Sequence, residues 1–300
     1  MYRIGIDLGG TNTVAGLVDS QGKLVDTCQV KTNLPTTIAR IVENIRDLTQ
    51  LLLQRNQIEA SQVVSVGVGV PCTADPKTGW MLDADHLGFS AGALIEPLEA
   101  ALQLPVAIGN DANCAAWGEY KAGGYACDSL ILVTLGTGIG GGIIIGGQLV
   151  DGINHAAGEV GHMMLYADGN PCTCGRKGCF EAHGSATALI RSACTATGEL
   201  IPGAKTVFER AAAGDKVCTA VLEEYTDCLA DGFANLINIF APDVLCIGGG
   251  VSHAGQALLQ PVREKTMQRI YAKTAKENTR IELARLQNDA GIIGAAWLEK

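Results

Sequence analysis

The sequence predicts an α/β protein made of two lobes that face each other across a cleft. Strand and helix signals alternate along the chain, and an arrangement of strand, glycine-rich turn and strand occurs twice. No linker rich in proline, serine or charge separates the two halves. We therefore expect a first lobe at residues 1–115 and a second at residues 116–300, with the final helix a candidate to pack back on the first lobe.

The first half begins with three short strand signals joined by glycine-containing turns, which predict an antiparallel meander: residues 2–6, 14–18 and 24–30. Residues 38–54 carry apolar side chains at the three-and-four spacing of an amphipathic helix. The continuous apolar run 63–70 predicts a strand buried on both faces, and residues 106–108 predict a shorter one. Polar residues follow both of these strands, at the ends where open α/β sheets bind ligands.

The second half repeats the opening pattern with predicted strands at 130–135 and 143–145 around the glycine run 136–142. The repeat indicates two related halves. A long helix is expected at 217–240, a buried strand at 244–247, and a glycine turn at 248–250 before a further helix. Residues 129–150 are uncharged, which raises the question of a membrane span, but their seven glycines favour a buried hairpin.

The composition excludes several functional classes. Twenty-two Lys and Arg against 31 Asp and Glu give a net charge of −9, and no basic run occurs, so nucleic acid is not an expected partner. The chain starts on a strand signal without a secretory leader, so we expect a cytoplasmic protein. Of the 11 cysteines, eight are scattered in apolar or helical contexts typical of small buried side chains.

The paired glycine turns are candidates to bind phosphate groups, because backbone amides can approach an anion closely where no side chain intervenes. Glycine turns also serve simply to make tight hairpins. Hydroxyls at Thr11, Thr13 and Thr137 and the carboxylate of Asp7, which suits magnesium, favour a nucleotide. Neither a P-loop nor a dinucleotide-binding glycine motif in a strand-to-helix setting occurs.

Three cysteines and a histidine form the most specific pattern in the chain. Cys172, Cys174 and Cys179 lie close together, and His162 precedes them by ten residues. Three thiolates and one imidazole match a tetrahedral zinc site with no open coordination position, which indicates a structural zinc. A disulfide is the weaker alternative in a reducing compartment.

Four motifs in this order resemble the ROK family of sugar kinases and sugar-responsive repressors: DLGGT at residues 7–11, GEVGH at 158–162, CTCGRKGCFE at 172–181 and GGG at 248–250. The resemblance covers essentially the whole chain. It implies the two-lobed actin-like ATPase (ribonuclease H-like) fold with ATP and Mg²⁺ in the interlobe cleft. It also implies transfer of the γ-phosphoryl group to a hexose or hexosamine hydroxyl, with glucose 6-OH as the default and N-acetylmannosamine, fructose or allose as alternatives.

The resemblance also assigns roles to single residues. Asp111 matches the catalytic base, although an isolated Asp after a strand is often only a helix cap. The implied sugar contacts are Asn110, Glu159, His162 and Glu181, of which His162 is also a zinc ligand. The expected nucleotide contacts are Asp7, Gly9, Gly10, Thr11, Thr13, Gly136, Thr137, Gly138, Gly249 and Gly250.

Departures from the family pattern concern the sugar. The segment HLGF at residues 86–89 stands where many family glucokinases have Asn-Leu-Gly-Trp, so His86 is expected either to read different sugar hydroxyls or to be an ordinary surface or cap histidine. Cys72 and His155 stand where glycine is usual, and Ala74 where valine is usual.

A sugar-sensing repressor is the alternative function, but such family members have an additional N-terminal helix-turn-helix domain, which we do not expect here. A chaperone or filament ATPase would not explain Glu159, Glu181 or the zinc pattern. The expected partners are ATP and a small sugar, without nucleic acid or membrane, and the expected assembly is a homodimer or homotetramer.

Overall fold

Each half of the chain builds one five-stranded sheet in the computed structural model, which describes residues 1–299. The elements up to residue 110 are, in chain order, β1 (Tyr2–Leu8), β2 (Asn12–Asp19), β3 (Leu24–Lys31), α1 (Ile38–Asn56), β4 (Val63–Val70), β5 (Thr73–Asp75), β6 (Trp80–Leu82), β7 (Ala91–Ala93), α2 (Ile95–Leu102) and β8 (Val106–Asn110). The first sheet has the order β3-β2-β1-β4-β8, and β5, β6 and β7 form a small separate sheet.

The remaining elements are α3 (Asp111–Ala122), β9 (Leu130–Leu135), β10 (Ile139–Ile145), β11 (Gln148–Leu149), α4 (Phe180–Gly184), α5 (Ala186–Thr197), α6 (Ala204–Ala212), α7 (Lys216–Phe240), β12 (Val244–Gly248), α8 (Gln256–Arg269), α9 (Lys273–Asn278), β13 (Arg280–Leu283) and α10 (Ala290–Ala296). The second sheet has the order β11-β10-β9-β12-β13. In both sheets three antiparallel strands are followed by two parallel ones, so the predicted repeat of two related halves is confirmed.

The glycine run of the second half differs from its prediction. Only Gly136 to Gly138 form the turn, and β10 already begins at Ile139. Glycine is needed inside this strand because a Cβ on Gly142 would lie 2.4 Å from the Ala116 side chain of α3. The predicted hairpin within residues 129–150 is confirmed, since β9 and β10 pair antiparallel. Within residues 1–299, no helix combines the length and apolar character that crossing a membrane requires.

Helices α3 and α10 pack against each other between the two sheets. The α10 helix lies on β1 and β4, whereas α3 lies on β9 and β10. Glycines make this close approach possible, since a Cβ on Gly5 or Gly67 would lie 1.8 Å from a carbonyl oxygen of α10. Hereafter residues 1–110 are called the first lobe and residues 123–289 the second lobe. The predicted boundary between residues 115 and 116 falls inside α3 and stays a prediction.

Sequence patterns did not predict the small sheet β5–β7, which we call the cap sheet. Its three strands have only three residues each, too few for an alternating pattern to be recognised. The cap sheet follows directly from the end of β4, and β5 lies beside β8. It therefore forms one wall of the cleft at the point where β4 and β8 end.

Candidate active site in the cleft

Two adjoining cavities lie at the carboxyl ends of the central strands. The larger has a volume of about 650 Å³ and is lined by both lobes, and the smaller has about 310 Å³ and lies beside the cap sheet. Asp111, Ala112 and Gly140 line both cavities. A group bound in one cavity therefore meets a group bound in the other at the Asp111 carboxylate.

The junction of β8 and α3 places Asp111 at this meeting point. Asn110, rather than Asp111, caps the helix, because its Oδ1 accepts hydrogen bonds from the Ala112 and Asn113 amides at 3.0 and 3.1 Å. The Asp111 Oδ1 accepts a bond from the Ala112 amide at 2.7 Å. Among residues 1–299, no side-chain donor is found on the Asp111 carboxylate.

Burial and nearby charge make Asp111 a stronger base than an exposed aspartate. Burial raises its pKa above the usual 3.8 and the Glu159 carboxylate raises it further, while the Ala112 amide and the charge of His86 oppose them. The pKa of Asp7 is raised from 3.8 to about 6, first by burial and then by Asp111. The cleft thus holds two carboxylates that repel each other, an arrangement that a divalent cation would relieve.

The larger cavity contains part of the predicted nucleotide set. Asp7, Gly136, Gly138 and Gly249 line it. The other predicted contacts lie in the same turns but are not among its lining residues: Gly9, Gly10, Thr11, Thr137 and Gly250. The Thr13 side chain is 1% exposed and its hydroxyl pairs with that of Thr32 at 3.1 Å, so in the structure it packs inside the turn. Its predicted contact with a nucleotide stays a prediction.

Sequence reasoning missed the segment before α10, whose residues Gln287, Asn288 and Asp289 also line the larger cavity. A buried carboxylate holds this segment in place: Glu119 of α3 accepts bonds from the Arg285 and Leu286 amides at 3.1 and 2.7 Å. The polar cluster preceding an apolar helix was the available signal. Nothing in the linear sequence shows that this helix returns to the cleft.

The smaller cavity brings together Asn110, His86 and Glu159 of the predicted sugar contacts. Cys72, Thr73 and Asp83 complete its wall on the first lobe. His162 and Glu181 are not among its lining residues. Instead, the Glu181 Oε2 accepts a hydrogen bond from the Ile139 amide at 3.0 Å, and Oε1 accepts one from the Thr173 hydroxyl at 3.3 Å. Their predicted sugar contacts stay predictions.

The four predicted metal ligands form one cluster. One donor atom from each of His162, Cys172, Cys174 and Cys179 lies within 4.8 Å of every other. The Cys174 and Cys179 sulfurs are 3.6 Å apart, and so are the Cys172 sulfur and the His162 Nδ1. Tetrahedral zinc sets these separations at about 3.8 Å and about 3.6 Å. The donor set therefore fits zinc, and hydrogen bonds from Arg176 lower the pKa of Cys174 toward the thiolate form that binds metal.

Tight turns make this cluster possible. Gly178 has a φ of +73°, and a Cβ there would lie 1.6 Å from the Tyr166 carbonyl oxygen. The Arg176 guanidinium donates a hydrogen bond to the His162 carbonyl at 2.5 Å, which joins the two parts of the ligand set. The cluster is consistent with a structural metal site that shapes the segment leading into α4.

Known proteins resemble this chain over nearly its whole length. A sequence profile described as the ROK family matches residues 3–300. Glucokinase of Halalkalibacterium halodurans is 35% identical, with 100% of this chain and 95% of that protein covered. N-acetylmannosamine kinase of Shigella boydii is 31% identical, with 99% and 98% covered. The crystal structure of a ROK glucokinase from Streptomyces griseus with glucose and AMPPNP matches with a TM-score of 0.82 at 34% identity, covering 99% of this chain and 98% of that one.

Proposed function

The chain belongs to the ROK family, and we propose that it is an ATP-dependent sugar kinase that transfers the γ-phosphoryl group of Mg-ATP to a hexose hydroxyl, with glucose 6-OH as the first candidate. One observation carries the proposal: Asp111 lines both the glycine-lined cavity and the polar cavity beside the cap sheet. A carboxylate shared by two ligand sites is placed to serve a reaction between their ligands.

We assign the sugar to the smaller cavity and the nucleotide to the larger one. A carboxylate oxygen of Asp111 accepts the proton of the attacking sugar hydroxyl while the hydroxyl oxygen forms its bond to the γ-phosphorus. The bond between the γ-phosphorus and the bridging oxygen then breaks, and ADP leaves with that electron pair. The Gly136 amide donates to the Gly138 carbonyl at 3.0 Å, but the lack of side chains at Gly136, Gly138 and Gly249 lets the backbone of these turns approach the phosphates. Backbone donors and the cation together stabilise the charge that such a transfer develops.

The oxygen ligands of Asp7, assisted by Asp111, fit magnesium. When bound, the cation neutralises phosphate charge and the repulsion between the two carboxylates. His162, Cys172, Cys174 and Cys179 would hold zinc, whose four protein ligands leave no position for substrate, so we assign it a structural role.

The choice of sugar depends on the first-lobe wall of the smaller cavity. His86, Cys72 and Asp83 form this wall, and His86 stands where many family glucokinases have asparagine. A side chain of different length and charge changes which hydroxyls are read. Because a relative that is 31% identical is an N-acetylmannosamine kinase, a hexosamine is the second candidate substrate.

An ADP-release assay with Mg-ATP tests the proposal across glucose, mannose, fructose, allose, N-acetylglucosamine and N-acetylmannosamine. We expect sugar-dependent turnover with glucose as the best substrate and little ATP hydrolysis without sugar. N-acetylmannosamine as the best substrate would support the second candidate. Turnover that no sugar of this panel stimulates would contradict the kinase assignment.

The proposed function also includes a cellular location and an oligomeric state. We propose a cytoplasmic homodimer or homotetramer, because the substrates are intracellular metabolites and family members commonly assemble in this way. Light scattering on the purified chain measures the assembly, and a monomeric mass would contradict it.

A further inference from the structure

His155 lies in the loop between β11 and Glu159, outside both cavities, and its ring contacts two carboxylates. Its Nδ1 is 2.6 Å from Oδ2 of Asp151 in the same loop, and its Nε2 is 3.8 Å from Oδ1 of Asp75 at the end of β5. The side chain is only 14% exposed. The other ion pairs found within residues 1–299 each stay inside one lobe, so the His155–Asp75 pair is the one that bridges the cleft.

Both residues of this ion pair are close in sequence to residues that line the smaller cavity. On the first lobe, Asp75 is two residues from Thr73, which lines the cavity. On the second lobe, His155 is four residues from Glu159, which lines the opposite side. The loop that carries His155 is closed by a hydrogen bond from the Ala157 amide to the Asp151 carbonyl at 2.9 Å. Only three residues separate His155 from Glu159, and this bond constrains the loop that joins them.

The backbone of His155 is held in an unfavourable conformation. Its φ of +58° lies in the left-handed region, which costs a residue other than glycine roughly 1 kcal/mol or more. Glycine would adopt this conformation freely, and glycine is usual here in the family that the sequence resembles. The contacts of the His155 ring with Asp151 and Asp75 offset this backbone strain.

The His155 ring lies between two carboxylates, and its two nitrogens contact them differently. The Nδ1 atom is within hydrogen-bond distance of Asp151, whereas the 3.8 Å separation between Nε2 and Asp75 is an ion-pair contact rather than a hydrogen bond. The charged groups that the structure places against the ring are Asp151 of its own loop and Asp75 of the cap sheet. Asp75 is kept ionised because the Thr78 hydroxyl and the Lys77 and Thr78 amides donate hydrogen bonds to it.

We propose that His155 is a positioning residue that ties the cap sheet to the loop before Glu159 and thereby holds the smaller cavity closed around the sugar. This inference rests on the proposed function. The tie acts through Asp75 and Glu159, so it affects sugar binding more than nucleotide binding.

Kinetic constants of His155→Gly, Asp75→Asn and the double variant test the tie. Glycine removes the ring without straining the backbone, and asparagine can keep the turn bonds to Lys77 and Thr78. We expect each single variant to raise the KM for sugar about three- to tenfold, as loss of one partly buried ion pair would do. The double variant should be no worse than the singles, and the KM for ATP and the melting temperature should stay unchanged.

Asp19→Asn is the matched control, because Asp19 also accepts two backbone amides in a turn of the first lobe without facing a histidine. Additive effects, an unchanged sugar KM, or equal rises in both KM values with a lower melting temperature would each overturn the inference.

Hydrogen exchange separates this inference from the kinase assignment, since it needs no turnover. We expect His155→Gly to increase amide exchange both at residues 151–158 and at residues 73–82, which belong to opposite lobes. Faster exchange in the loop alone would show that His155 has only a local structural role, and it would contradict the proposed connection to the cap sheet. If the wild-type protein is active on no sugar of the panel, the proposed function is contradicted. The exchange result then shows on its own whether His155 connects the two lobes.

Discussion

The Glu181 carboxylate accepts a hydrogen bond from the Ile139 amide at 3.0 Å, directly behind the glycine turn at residues 136–138. Glu181 lies two residues after Cys179, one of the four proposed metal ligands. A Cβ on Gly138 would lie 2.3 Å from its Oε2. The metal cluster and the proposed nucleotide turn are thus connected by one carboxylate, and a disturbance of either should reach the other.

Loss of the metal should therefore impair more than the stability of its own segment. We expect the chain to bind about one zinc per subunit and Cys174→Ser/Cys179→Ser to lose it, because both sulfurs belong to the proposed ligand set. Elemental analysis and thermal unfolding measure this. The variant should melt at a lower temperature, and its KM should rise for ATP as well as for sugar, because Glu181 would no longer be held.

Cys127→Ser is the control for the loss of a thiol, since Cys127 lies outside the cluster. It should keep the zinc. Full zinc occupancy in the double serine variant would show that Cys174 and Cys179 do not bind the metal.

The glycine turns provide a second test, and the structure decides which glycine is suitable. At Gly10 a Cβ would lie 3.6 Å from the Leu34 side chain, an ordinary contact, whereas at Gly138 it would collide with Glu181. Gly10→Ala should raise the KM for ATP several-fold with little change for sugar, if the backbone there approaches the phosphates. Gly138→Ala should raise both KM values.

Gly203→Ala is the matched control, because its Cβ would meet no atom within 4 Å and it lies at the start of α6, away from the cleft. Steady-state kinetics with each substrate varied in turn gives the comparison. Equal effects of Gly10→Ala on both substrates would count against a phosphate contact at that turn.

Strongly patterned elements could be predicted from the sequence. The run at residues 63–70 is β4 without change, and the predicted helix at 38–54 is α1, ending two residues later. In both elements the spacing of the apolar residues follows from which faces of the element are buried, so it can be recognised in the sequence. The cluster of three cysteines and one histidine was also recognisable, because the spacing of these residues limits where a short chain can bring sulfur and nitrogen together.

Contacts between distant segments could not be predicted in the same way. Asn288 reaches the larger cavity because α10 crosses back to β1, and His155 meets Asp75 across 80 residues of sequence. Each depends on the packing of lobes rather than on a local pattern. Gly142 is a further example, because the Ala116 side chain on α3 leaves no room for a Cβ at this position of β10.

Replacement of the proposed base should slow catalysis without preventing binding. Asp111→Asn keeps the size and the bond from the Ala112 amide but cannot accept a proton, so kcat should fall on the order of 10²- to 10⁴-fold with smaller changes in KM. Because burial raises the pKa of Asp111, wild-type kcat/KM should decline on the acid side at a pH above the usual 3.8. Near-normal turnover of Asp111→Asn with the best sugar would make Glu159 the next candidate.

Asp7 should show opposite effects on stability and activity. Its pKa is raised from 3.8 to about 6 in the folded protein, so the folded state holds this proton more tightly than the unfolded state. The stabilisation from that proton is complete below pH 4 and is lost as pH rises through 6. Above this range the buried carboxylate costs the folded state roughly 3 kcal/mol relative to its protonated form, since one pKa unit is about 1.4 kcal/mol.

Asp7→Asn removes this charge beside Asp111 and should therefore stabilise the ligand-free protein at pH 8 by about 1–3 kcal/mol, with little gain at pH 4. Denaturant unfolding at the two pH values measures the difference. Asp47→Asn, which removes the same charge from the exposed surface of α1, should change stability little at either pH. Because Asp7 is the proposed magnesium ligand, the more stable variant should also lose most of its turnover. A variant that is less stable than wild type at pH 8 would show that the Asp7 carboxylate is not a strained group kept for its function.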